Sequence, residues 1–92
     1  MKLEQFIDEG IKLGIKHGFQ PTVFLRMRQD HGLVVAIERL VKTGEPQAGF
    51  KRMKEFGLLD WTLEAAVLKY PDQFSKHAKE YAKARLEGVL DA

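Results

Sequence analysis

Between residues 2 and 17 the apolar positions recur with a helical period. Taken at about 100° per residue, Leu3, Phe6, Ile7, Gly10, Ile11, Leu13, Gly14 and Ile15 share one broad arc, opposite Gln5, Asp8, Glu9, Lys12 and Lys16. The pattern predicts an amphipathic helix with Gly10 and Gly14 in the middle of its buried face. Gly18 falls just past its end, where a left-handed cap favours glycine. Each glycine inside a helix costs roughly 1 kcal/mol relative to alanine, so the two internal ones require a compensating contact. Close approach of another backbone within the same chain supplies it. A homodimer through the same groove is the alternative, with a monomer expected.

The same reading continues along the chain. "PTVFLRMRQDH" predicts a second helix with Pro21 in its first turn and Gly32 as its stop. "LVVAIERLVK" is apolar nearly all round and predicts a central third helix. "TGEPQ" reads as a turn, with Pro46 opening a fourth helix, "QAGFKRMKEF", that Gly57 ends. In "LLDWTLEAAVLKY" Asp60 is the predicted N-cap and Pro71 the stop. The last helix runs from Ser75, its N-cap, to Leu86, with Ala78, Tyr81, Ala82 and Arg85 on one face and Phe74 packing at its start. Ala78 and Ala82 are placed opposite Gly10 and Gly14. No segment alternates with the period of a strand. The expectation is an all-α fold, a compact bundle of five or six short helices built from helix-glycine-helix units, forming a single domain over 1–92. Phe24-x-Arg26-Met27-Arg28 before Gly32-Leu33 echoes Phe50-x-Arg52-Met53-Lys54 before Gly57-Leu58, which reads as two similar local solutions rather than a duplication.

Composition narrows the possible chemistry. The 92 residues suffice for one core, and 45% hydrophobic with 30% charged residues is a globular balance. No apolar run approaches the roughly 20 residues that span a bilayer, and the opening "MKLEQFIDEG" lacks a leader pattern, so a cytoplasmic protein without membrane contact is expected. The absence of cysteine removes disulfides, thiolate zinc sites and thiol nucleophiles together. His17, His31 and His77 show no metal-ligand spacing; His17 lies on the apolar arc and predicts a partly buried, hydrogen-bonded ring. Asp30 and His31 are adjacent and diverge on a helix. Ser75, the sole serine, is occupied as a cap. No phosphate-binding glycine loop is present. Neither catalytic residue, metal nor cofactor is assigned.

The net charge of +2 and pI near 9.0 are mild. Arg26, Arg28, Lys51, Arg52 and Lys54 lie on the two echoing helices, and Lys76, Lys79, Lys83 and Arg85 on the last. Convergent, they would attract phosphates or an acidic protein; with Asp30, Glu55 and Glu80 among them, the expectation is an ordinary solvated face. Base-specific reading is disfavoured, because no candidate recognition helix presents the required polar side chains and the chain has no asparagine. Phe19, Phe56, Trp61, Phe74, Tyr70 and Tyr81 are expected to fill or rim the core. Trp61, just after the predicted cap, is the nominated exposed anchor.

Gly18-Phe19-Gln20-Pro21-Thr22-x-Phe24-Leu25-x-Met27, followed by Gly49-Phe50-x-Arg52-Met53-x-Glu55-x-Gly57-x-Leu59-Asp60-x-Thr62-x-Glu64-Ala65-x-Val67-Leu68, resembles a small helical module of bacterial proteins that is found alone or fused to larger proteins. Gln20 departs from that pattern, in which an asparagine cap is expected. The resemblance implies an all-α domain with no established catalytic residues. Together, these features lead to the expectation of a non-catalytic macromolecule-binding module. Its expected partner is another protein, which it serves as adaptor or inhibitor, including an inhibitor of a bacterial defence system such as an anti-CRISPR protein. Nucleic-acid binding through the basic helix faces is the alternative.

Overall fold

The computed structural model describes residues 1–42 and 48–88; the predicted turn and the helix-opening role of Pro46 lie outside the described residues. Among the described residues six α-helices follow one another: α1 (Leu3–Lys16), α2 (Thr22–His31), α3 (Leu33–Val41), α4 (Ala48–Glu55), α5 (Leu63–Lys69) and α6 (Lys76–Leu86). The described residues contain no strand, and the fold is a small all-α bundle.

Helix starts and stops follow local chemistry. The Gln5 side chain accepts from the backbone N–H of Lys2 at 3.0 Å and closes the start of α1. Gly18 and Gly32, both with φ of 90°, end α1 and α2 in a conformation that other residues rarely adopt. α2 begins after Pro21, which stands one position before the first helical residue, and no side chain caps it, Gln20 included. Asp60 is not the cap of α5. It lies in a 3₁₀ turn over Leu59–Trp61, and Thr62 takes the role. The Thr62 hydroxyl accepts from the N–H of Ala65 at 3.1 Å while donating to the carbonyl of Leu59 at 2.8 Å, which joins the turn to the helix. A second 3₁₀ turn, Pro71–Gln73, ends α5 as the proline requires. Ser75 caps α6 by accepting from Ala78 N–H at 3.1 Å and also bonds to the Glu38 carboxylate of α3, so this cap is tied to the centre of the bundle.

The core gathers Phe6 and Ile7 of α1, Phe24 of α2, Ala36, Ile37 and Val41 of α3, Val67 of α5, and Ala78 and Ala82 of α6. α3 is central, although Val35 remains 42% exposed on its outer side. α6 packs against α5 and α3 rather than α1. Ala78 and Ala82 therefore do not face the glycines of α1. A Cβ built on Gly10 would stand 2.8 Å from the carbonyl oxygen of Trp61, closer than real contacts allow, whereas one on Gly14 would meet Met53 Sδ and the Phe19 carbonyl at 3.6 Å, an ordinary distance.

The two positions are thus expected to respond oppositely to alanine. Gly10→Ala must push the Trp61 backbone away and should lose about 1–3 kcal/mol of stability. Gly14→Ala should gain about 0.5–1 kcal/mol from the helix backbone alone. Urea denaturation of the two variants checks both signs.

Candidate functional site

The nominated basic residues occupy different environments. Arg26 is exposed on α2. Arg28, on the same helix, turns towards α1, donating to Asp8 Oδ1 at 2.8 Å with Glu4 3.6 Å away, and serves as an inter-helix tie. Lys51, Arg52 and Lys54 are exposed on α4. The Arg52 guanidinium lies 5.3 Å from the ring of Phe56 and 6.0 Å from that of Phe19, within cation–π range. Glu55 approaches its Nε at 3.9 Å. His17 completes the stack, its ring 4.8 Å from Phe56. It is exposed, not partly buried as its place on the arc suggests, because its Nδ1 bonds back to the Leu13 carbonyl at 2.9 Å at the helix end.

Arg85 does not belong to a basic surface. It is 1% exposed and donates to Glu64 Oε2 at 3.0 Å, itself 3% exposed. Burial pushes the Glu64 carboxyl above its ordinary value of 4.5, against the opposing hydrogen bond and charge of Arg85. The remaining basic residues of α6 and those of α4 sit on helices held by different parts of the bundle, since α4 meets the body at the Leu59–Trp61 turn and α6 packs on α5 and α3. Asp30 and His31 are both exposed, and the His31 Nε2 stands 3.5 Å from Arg39 rather than in a pair with Asp30.

Trp61 is half-buried, stacked on Phe6 with centroids 4.9 Å apart, and does not project as an exposed anchor. Its neighbourhood contains a cavity of about 250 Å³, walled by the glycine face of α1, Phe24, Phe50, Met53 and Trp61, with Glu64 contributing to its lining. The cavity and the Glu64–Arg85 pair went unrecognised in the sequence. A signal for the pair was present: Arg85 shares a helical face with Ala78 and Ala82, which places a charge among buried positions and demands an acidic partner.

Among the described residues no three His, Asp or Glu side chains gather as a metal site, and no helix is long and apolar enough to cross a membrane. A small all-α bundle carrying an apolar cavity and an exposed cation–aromatic stack is the class that fold and site define. No family model, curated protein or solved structure matches the chain significantly.

The buried pair makes two expectations. Glu64→Leu leaves the guanidinium without its carboxylate and should cost about 3–5 kcal/mol, most of which the double variant Glu64→Leu/Arg85→Met recovers; a double-mutant cycle in urea measures this. The pH dependence follows from the raised carboxyl: the native state holds this proton more tightly than the unfolded chain. Its contribution to stability is therefore full below the ordinary value of 4.5 and is lost as pH rises through the raised folded value. Glu64→Gln should remove that downward slope from denaturation curves taken at successive pH values.

Proposed function

We propose that the chain is a non-catalytic binding module for another protein, acting in the cytoplasm as an adaptor or inhibitor. The supporting observation is the exposed stack of Arg52 on Phe56 and Phe19, extended by His17 and flanked by Lys51 and Lys54. Arginine and aromatic side chains dominate the energetics of protein interfaces, and a guanidinium held against rings is ordered before its partner arrives. The surplus of positive charge on α4 fits an acidic partner surface.

Phosphate recognition has less support. Arg28 is engaged by Asp8 and Glu4, Arg52 has Glu55 beside it, and Arg85 is buried on Glu64. The basic residues open to a polyanion are therefore fewer than the sequence suggests.

Affinity capture of the tagged protein from a lysate of its native cell, with and without nuclease, tests the reading. A stoichiometric protein should survive nuclease treatment, and Arg52→Glu should weaken its binding by about 30-fold, the effect of an interface hot spot of about 2 kcal/mol. Captured material that disappears with nuclease would replace this reading with nucleic-acid binding.

A further inference from the structure

The three glycines around the cavity do not all answer to the same need. Gly10 is required by the Trp61 carbonyl, which a Cβ would meet at 2.8 Å. Gly14 on α1 and Gly49 on α4 are under no such constraint: the nearest atoms to a Cβ at either lie 3.6 Å away, and for Gly49 they belong to the ring of Phe19. Gly14 sits in the interior of α1, where glycine costs roughly 1 kcal/mol relative to alanine, and Gly49 is the second residue of α4. Both line the cavity of about 250 Å³, and a Cβ at either would make ordinary van der Waals contact with its wall. An apolar cavity of about 150 Å³ is already enough to admit benzene.

The lining also carries one strong hydrogen-bond acceptor. Glu64 belongs to the cavity lining and is 3% exposed, and its Oε2 is engaged by the Arg85 guanidinium. The ionised pair is neutral as a unit. A cationic or anionic guest would find no uncompensated countercharge there, since the other polar side chains of the lining, Gln20, Thr22 and Thr62, are neutral. A neutral guest with one N–H or O–H donor meets both requirements, burying its body against Phe24, Phe50 and Met53 and donating to the carboxylate.

We infer that the cavity between α1, α4 and α5 is a binding site for a small, neutral, one- or two-ring aromatic molecule that carries a single hydrogen-bond donor, anchored at Glu64. The cavity shares the Phe19 ring with the cation–aromatic stack on the outer side of α4, but the uptake of a small molecule by the free chain stands whether or not that stack binds a protein.

The test uses the full chain with indole as the probe, following backbone amide shifts of Gly10, Gly14 and Gly49 by NMR. Indole is expected to shift these amides saturably. Indene, of the same shape without the N–H, should bind about ten-fold more weakly for the lost hydrogen bond to a charged group. Tryptamine and indole-3-acetate should not saturate where indole does. Gly14→Leu places a side chain in the cavity and should abolish the shifts; Gly49→Leu does the same from α4 and serves where the first variant fails to fold. Absence of a saturable response to indole, or a response that persists in a folded cavity-filling variant, would overturn the site. Equal binding of indene would remove Glu64 as the anchor, and equal binding of either charged analogue would refute the neutral guest. A concentration-dependent dimer in light scattering, lost in a folded Gly14→Leu or Gly49→Leu variant, would assign the cavity to a second copy of the chain instead.

Discussion

The ion pair between Glu64 and Arg85 joins α5 to α6 at 3.0 Å with neither side chain open to solvent. Its formation is a demanding constraint, because two buried charges recover their lost hydration only when they meet with good geometry. That requirement sets how α6 lies on α5. Arg85 must reach inwards along the same face as Ala78 and Ala82, and those two small side chains allow the helices to approach closely enough for it to do so. The capping of each helix agrees with this arrangement. Thr62 starts α5 so that Glu64 falls in its first turn, and Ser75, bonded to Glu38 on α3, starts α6. Glu64 of the same pair also lines the cavity, with Gln20, Thr22 and Thr62 among mostly apolar residues.

The other close constraint is the passage of Trp61 over Gly10. The backbone of the 3₁₀ turn can lie against α1 only because that position has no side chain, and the Trp61 ring then stacks on Phe6. Lys69 of α5 and Tyr70 also meet Phe6, with the Lys69 Nζ 4.9 Å from the Phe6 ring and the two aromatic rings of Phe6 and Tyr70 packed edge to face. Aromatic packing of this kind fixes the relative position of α1 and α5 more closely than aliphatic contacts do, since ring geometry is directional. The packing that is so tight at Gly10 relaxes one helical turn further along, at Gly14, and both glycines line the cavity.

α4 belongs to both proposed binding features. Its inward side brings Phe50, Met53 and Gly49 to the cavity, and its outer side carries Lys51, Arg52 and Lys54. It is among the shortest of the helices, with eight residues, and it meets the rest of the bundle chiefly at the Leu59–Trp61 turn. A helix of that length has little stability of its own and takes its position from what it packs against. The aromatic rings of Phe19 and Phe56 therefore have a structural role besides the proposed recognition one, holding Arg52 in place from segments outside α4 itself.

Much of the architecture was legible from local pattern. The six helices, the glycine stops after α1 and α2, the serine cap of α6 and the central place of α3 all follow from periodicity and backbone preference, which act over a few residues. Asp60 and Thr62 are both good caps by type, and the choice fell to Thr62 because its hydroxyl also closes the preceding 3₁₀ turn, a contact that depends on the turn being there. His17 reads as inward from its angle on the helix, yet as the C-cap of α1 its ring bonds to Leu13 and lies on Phe56 in the open. The partners of two arginines belonged to tertiary structure: Arg28 binds across 20 positions and Arg85 across 21. The cavity is likewise a product of distance, since a glycine's lack of a side chain is visible in sequence but the neighbour that does or does not fill the space is brought there by the fold. Local chemistry determined where the helices begin, end and turn their apolar faces; only their packing decided which charges are buried, which glycine is crowded and which is left open, because those outcomes are set by atoms that are remote along the chain.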